Sequence, residues 1–410
     1  MNVSCANGEE ERRVLCDLDA CIVGGCGHVG LPLALSLARA GLRIAIFDID
    51  EPKIAEVAAG RMPFIEAGGT ELLAEVLASG RLELSADASV IKRSQAVVLV
   101  VGTPIDEFLN PTFSVFDHII DGIAPFLAPG ALVVLRSTAY PGTTQWVSRT
   151  LAERDCRVDV AFCPERIAEG RAIEELTTLP QIVGADDDRA AERAERLFAT
   201  LGVTTVRTTA KEAELAKLFT NAWRYMKFAV ANQFFVIAEE AGLDYGRILH
   251  AIRHDYPRAD DLPGPGFAAG PCLLKDTMQL SAFTRSTFVL GHAAMLVNEG
   301  LPEVVVRALG EEADLRGRTV AILGMAFKAE SDDVRASLSY KLRKLLTFAG
   351  ARVVCSDPHV EAPDIVDIDT ALAEAEIVVI GAPHAAYADL DLSGRRVVDI
   401  WGLTGAGIRL

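Results

Sequence analysis

The chain is short of positive charge. Its 410 residues carry 40 Lys and Arg against 57 Asp and Glu, for a formal net charge of −17 and a pI near 4.9. That balance argues against nucleic acid or an anionic membrane surface as the main partner, so any anionic ligand must be held by a locally arranged site. Cysteines number eight, with no CxxC pair and none of the density of a disulfide scaffold. Reduced thiols in a cytoplasm and no metal centre are therefore expected. The opening residues MNVSCANGEEERRVLCDLDA are charged where a signal peptide would be apolar, so residues 1–17 read as a polar tail. No run approaches the roughly 20 apolar residues of a membrane span. Aromatics are few, at 6%, yet half the residues are hydrophobic, which is the composition of an ordinary soluble globular protein with room for two or three domains.

What is present is βα alternation at both ends of the chain. Val/Ile-rich runs at 20–24, 43–47, 96–101, 131–136 and 158–162, with others near 181–183 and 203–206, alternate with helix-period segments. One doubly wound domain with parallel strands is expected over 18–208. Residues 211–241 contain no Gly or Pro and are apolar around much of their circumference, so they predict a long, largely buried helix opening a helical middle domain, 209–315. A second helical stretch is expected at about 287–312. The runs TVAILGMAF, ARVVCSDP, AEIVVIGAP and RRVVDIW then predict four strands of a smaller Rossmann-like domain, 316–410. The fold class is α/β: two Rossmann-like domains joined by a long central helix.

Gly25-Cys26-Gly27-His28-Val29-Gly30 fits GxGxxG, directly after an expected strand and opening a helix. Glycines there permit a tight turn and let backbone approach a pyrophosphate at the positive end of the helix dipole. Asp48 closes the next strand, where an acid accepts hydrogen bonds from a ribose 2′-hydroxyl and favours NAD over NADP. Lys53 just beyond adds charge on the phosphate side or is simply a solvated helix lysine. A nicotinamide cofactor implies hydride transfer.

The second constellation surrounds GPGFAAGPCLLKD, residues 264–276. Cys272 stands between a Gly/Pro-rich loop and an expected helix, LLKDTMQL, whose N-terminus would stabilise a thiolate. Asp276 follows one turn later, to orient a neighbour or to complement the helix dipole. On the long helix Lys217 and Asn221 are four apart and project from one face, where a lysine and an amide can donate to an oxyanion. Glu165 and Glu169 lie in the loop CPERIAEG, and Ser137-Thr138 end the strand VVLRST at the edge where open α/β sheets bind ligands. A cysteine nucleophile, an oxyanion-binding lysine and a candidate base describe oxidation of an aldehyde to an acid through a thiohemiacetal and a thioester.

The ordered motifs GGCGHVGLP, DIDEPKI, VGTPID, STAYPGTT, CPERIAEG, ELAKLFTNAW, PGPGFAAGPCLLKD and GMAFKAESDDVRAS resemble the UDP-glucose/GDP-mannose dehydrogenase family from about residue 19 to 400. The resemblance implies four-electron oxidation of a sugar C6 alcohol using two NAD. It implies Cys272 as nucleophile, Lys217 and Asn221 as oxyanion donors, Glu165 as acid/base, and Thr138 and Asp276 as positioners of water. The cofactor positions it implies are Gly25, Cys26, Gly27, His28, Val29, Gly30, Asp48, Lys53, Thr103, Thr138, Glu169 and Arg335. Substrate positions are Glu165, Lys217, Asn221, Gly264, Gly266, Phe267, Gly270, Phe327 and Lys328. Arg258 would reach the substrate of a second subunit in a homodimer.

Three features depart from the family pattern. Gly270-Pro271-Cys272 replaces the usual Gly-Gly-Ser-Cys or Gly-Gly-His-Cys, RHDYPRADDLPGPG carries extra residues, and Trp401 stands where UDP-glucose enzymes have arginine. RHDYPRADDLPGPG, its extra residues aside, resembles the RHPR…PGPG of UDP-N-acetylhexosamine enzymes, and Trp401 argues against plain UDP-glucose, so a UDP-N-acetylhexosamine such as UDP-N-acetylmannosamine is expected, with UDP- or dTDP-glucose as the alternative. Outside the family, a two-electron 3-hydroxyacid dehydrogenase or a catalytically silent sugar-nucleotide binder are the rival readings.

Overall fold

The computed structural model describes residues 16–102, 114–268, 270–405 and 407–410. Residues 1–15 of the expected tail and the expected cofactor residue Thr103 lie outside them. The chain divides into two compact units, Met1–Leu218 and Phe219–Leu410.

The first unit is built on an eight-stranded sheet of order β3-β2-β1-β4-β5-β6-β7-β8. The strands are β1 (Leu18–Val23), β2 (Ile44–Phe47), β3 (Leu82–Ser85), β4 (Ser94–Leu99), β5 (Leu132–Leu135), β6 (Asp159–Phe162), β7 (Gln181–Gly184) and β8 (Thr205–Thr208). β1 is central, with Cys21 paired to Ala45 on one side and Val97 on the other, which is why its run is apolar on both faces. The helix Gly30–Arg39 covers the sheet through Leu31, Leu33 and Leu37, all fully buried.

Three details correct the expected layout. β3, sequence LELS, is a half-buried edge strand with too little apolar or β-branched character to stand out. β7 pairs antiparallel to β6 at Phe162 and Gly184, so the sheet is not wholly parallel. Cys16 is buried and Asp17 is ion-paired to Arg93 at 2.5 Å, so these two residues of the expected tail belong to the sheet domain.

The helix Ala210–Glu240 runs on from the first unit and opens the second, which adds Tyr245–Arg253, Leu273–Phe283 and Val289–Glu312. Val289–Glu312 is long and apolar enough to cross a membrane by length and composition, contrary to the expectation that no segment would be. Its Leu301, Val305 and Leu309 instead enter a core with Val320, Ile322 and Leu342. The five-stranded parallel sheet has order β11-β10-β9-β12-β13, with β9 (Thr319–Leu323), β10 (Arg352–Ser356), β11 (Ile365–Val366), β12 (Ile377–Ile380) and β13 (Arg396–Val398). Four of these were expected. β11 is a two-residue edge strand, too short for a periodic signal.

Candidate active site

In the first sheet the strand order reverses between β1 and β4, and the crevice at such a switch point is where doubly wound sheets bind ligands. The turn Gly24–Val29 leaves β1 at this edge. A methyl group at Gly30 would stand 2.6 Å from the Cα of Gly25, and one at Gly25 would meet Ile46 at 2.8 Å. Over Gly27 there is open space, nothing lying within 4 Å of such a methyl. The outer two glycines thus let helix and strand pack closely, while the middle one leaves backbone accessible to a ligand.

Asp48 follows β2, and its carboxylate accepts from the Cys26 N–H at 2.9 Å and the Asp50 N–H at 3.1 Å. The acid is thereby fixed beside the turn, where a ribose diol belongs. These residues fit a dinucleotide. Burial, and then the Asp48 and Asp50 carboxylates, push the Cys26 thiol up to about 12, so this cysteine is no nucleophile. His28 lies against Phe64 with ring centroids 4.1 Å apart. Lys53 is exposed and pairs with Asp50 at 3.2 Å.

At the carboxyl edge of the same sheet, Thr138 is buried after β5, and Glu165 and Glu169 follow β6. Lys217, on the long helix, donates from Nζ to Glu165 Oε1 at 2.9 Å. Burial pushes the Glu165 carboxyl upward, but Lys217 and then Arg136 outweigh it and hold the acid below its ordinary range.

Within the second unit, Cys272 is the N-cap of the helix Leu273–Phe283, one position before the expected first turn, and its carbonyl accepts from the Asp276 N–H at 2.9 Å. Of the seven described cysteines it is the exposed one. Burial pushes Cys21 and Cys163 up to about 12 and Cys355 to about 11, which leaves them inert. Asn221, one turn beyond Lys217 on the long helix, donates to Asp276 Oδ2 at 2.5 Å, and both side chains are buried. The neighbour that Asp276 orients is therefore Asn221.

The loop from Pro263 to Gly270 is held from a side that the sequence did not reveal. Asn232 of the long helix donates to the Gly266 carbonyl at 3.0 Å and accepts from the Gly266 N–H at 2.8 Å. Asn298 fixes that amide by accepting from it at 2.9 Å while donating to the Tyr225 carbonyl at 3.0 Å. Gly266 has φ +154°, and a methyl there would stand 2.1 Å from the Trp401 ring. At Gly270, φ +104°, a methyl would stand 2.6 Å from the Phe327 ring. Trp401 is itself pinned by its indole N–H to the Ile380 carbonyl at 3.1 Å.

Phe267 is buried, Gly264 is half-buried and Lys328 lies over the Phe327 ring at 5.6 Å. Arg258 is exposed and rests on Tyr256. Arg335, expected near the cofactor, pairs with Asp333 at 2.5 Å in the second unit. Asn232 and Asn298 were missed because an isolated amide inside an apolar helix carries no spacing signal.

A Gly-rich turn with its acid, at the switch point of a doubly wound sheet, fits the class of NAD-dependent oxidoreductases. Three family models match in order: the NAD binding domain of the UDP-glucose/GDP-mannose dehydrogenase family over 19–202, its central domain over 211–299 and its UDP binding domain over 321–405. The chain belongs to that family and is an NAD-dependent nucleotide-sugar dehydrogenase.

It is 30% identical to a UDP-N-acetyl-D-mannosamine dehydrogenase of Methanocaldococcus jannaschii, over 90% of this chain and 87% of that one. To a UDP-glucose 6-dehydrogenase of Haloferax volcanii it is 32% identical, over 91% and 96%. The solved UDP-glucose dehydrogenase of Pyrobaculum islandicum superposes with a TM-score of 0.87 at 30% identity, covering 93% of this chain and 94% of that one.

Proposed function

We propose that this chain oxidises the C6 alcohol of a UDP-linked N-acetylhexosamine, UDP-N-acetylmannosamine first among them, to the uronic acid. Bound NAD supplies the hydride acceptor in two successive oxidations. Cys272, at a helix N-terminus that favours its thiolate, adds to the C6 aldehyde and later carries the acyl group as a thioester. Lys217 and Asn221 donate to the oxyanion that forms at C6, and Asp276 holds the Asn221 amide in its orientation. Glu165 takes a proton from the water that cleaves the thioester, with Thr138 helping to place that water. The observation that carries this reading is the Asn221–Asp276 pair, dry and short, beside the exposed Cys272.

Trp401 against Gly266 supports the N-acetylhexosamine, since the loop expected to line the substrate is shaped by an aromatic ring rather than by a cation. UDP- or dTDP-glucose is the alternative. NADH formed per mole of limiting sugar nucleotide, compared across UDP-N-acetylmannosamine, UDP-N-acetylglucosamine, UDP-glucose, dTDP-glucose and GDP-mannose, tests both. A stoichiometry near two with one substrate is the expected result. A stoichiometry of one would return the two-electron reading, and no NADH with any of them the silent binder.

The active form we propose is a cytoplasmic homodimer. Phe219, Trp223, Val230, Phe234 and Ile237 form an exposed apolar stripe along the long helix. Phe219, Trp223, Met226 and Phe288 also line an apolar cavity of about 320 Å³. A second copy covering this stripe accounts for so much exposed apolar surface on a strongly acidic protein. Arg258, exposed on its loop, is the side chain proposed to reach across.

A further inference from the structure

The segment that carries Glu165 is tied down by two residues outside the constellation described above, Arg136 and Gln181. Arg136, directly after β5, is 1% exposed, and its Nη1 donates to the Cys163 carbonyl at 3.2 Å and to Gln181 Oε1 at 2.9 Å. Gln181, opening β7, turns its amide back to the Pro164 carbonyl at 3.0 Å and the Ile182 carbonyl at 2.8 Å. The Glu165 N–H donates to the Arg136 carbonyl at 3.4 Å. Both carbonyls preceding Glu165, and its own N–H, are therefore held by Arg136 and Gln181.

A guanidinium in the core is costly unless something requires it. Among the described residues Arg136 donates to a carbonyl and an amide oxygen and to no carboxylate, and its Nε is buried without a partner. It stacks on Phe198, with Cζ 5.2 Å from the ring centroid. A purely structural carbonyl clamp could be built from an uncharged amide, as Gln181 is, so the positive charge calls for an explanation of its own. We propose that Arg136 and Gln181 are positioning residues for the reaction, fixing the Cys163–Glu165 segment and the charge beside it for the step that consumes water.

This rests on the reading of Glu165 as the base of that step. Two cations face Glu165, Lys217 from the long helix and Arg136 from the end of β5. Cys163, the other titratable group beside Arg136, keeps its proton because burial pushes it up to about 12. Loss of the Arg136 charge must then raise the pH at which Glu165 takes up a proton.

The test is the pH profile of kcat together with the pre-steady-state burst of NADH, measured on Arg136→Met, Arg136→Lys, Gln181→Leu and Glu165→Gln in the full-length enzyme. Arg136→Met is expected to keep the burst, to lose about tenfold or more in the steady-state rate, and to move the acid limb of kcat to higher pH. Arg136→Lys should restore the acid limb but not the full rate, because an ammonium keeps the charge and loses the fork. Gln181→Leu should lower kcat while leaving KM for the sugar nucleotide within about twofold.

A folded Arg136→Met enzyme with an unmoved acid limb and kcat within about twofold of wild type overturns the inference. Should Arg136→Met not fold, unchanged kcat in both Arg136→Lys and Gln181→Leu overturns it equally. Glu165→Gln that still releases acid at the wild-type rate defeats the reading of Glu165 itself, which is a different result.

Discussion

Lys217 Nζ meets Glu165 Oε1 at 2.9 Å, with side chains 4% and 13% exposed, so the amine expected to donate to an oxyanion is found paired with the acid expected to act on water. The two expected roles share one hydrogen bond.

Breaking this pair on one side should cost more than removing both charges. Lys217→Met leaves a carboxylate in a nearly dry site; a fully buried pair would cost about 3–5 kcal/mol, and the residual exposure of Glu165 lowers the expectation to about 2–3 kcal/mol. Lys217→Met/Glu165→Gln should recover most of that loss in urea denaturation. Glu165 is held below its ordinary range, so its stabilising contribution is full above the unfolded value of about 4.3 and is lost as pH falls through the folded value. The gap between wild type and Lys217→Met should therefore narrow below about pH 5, and a gap independent of pH would show that Glu165 is not the group involved.

Cys272→Ser should abolish steady-state acid formation yet bind NAD with unchanged affinity, since the Gly25–Gly30 turn lies in the other unit. NADH fluorescence titration alongside product assay separates the two. Undiminished turnover would remove Cys272 from the mechanism.

Gly266→Ala should weaken sugar-nucleotide binding, because its new methyl would stand 2.1 Å from the Trp401 ring. Asn232→Leu should act on the same loop by stranding the buried Gly266 N–H and C=O, at about 1–3 kcal/mol for each unsatisfied group. Isothermal titration with the nucleotide sugar reads the affinity. Trp401→Gly should restore binding to the Gly266→Ala background, and failure to do so would locate the fault in backbone conformation instead.

Trp223→Asp places a charge in the middle of the exposed stripe of the long helix and should shift the protein from dimer to monomer in analytical ultracentrifugation. A wild-type protein that sediments as a monomer at micromolar concentration would leave the stripe for another partner.

How much of this was legible in the sequence depended on the range of the interaction. GCGHVG and the acid at Asp48 were readable because a tight turn and a strand end are local events with fixed spacing. Lys217 and Asn221 were readable because four residues make one helical turn. Arg136 and Gln181 were not, since they lie 45 residues apart and meet because β5, β6 and β7 are neighbours in the sheet. Likewise Asn232 reaches Gly266 across 34 residues of chain. The reversal at β7 was illegible because a short buried run reads the same in either direction.

By itself the sequence determined the α/β class, the dinucleotide turn, the thiol at a helix start and the order of the family's motifs, all set by contacts within a few residues or by alternation along one element. Tertiary structure alone decided which partners those side chains keep. Asp276 serves Asn221, Glu165 serves Lys217, and Trp401 shapes the loop at Gly266, because the burial and distance that set a carboxylate's charge or a glycine's necessity exist only once distant segments pack.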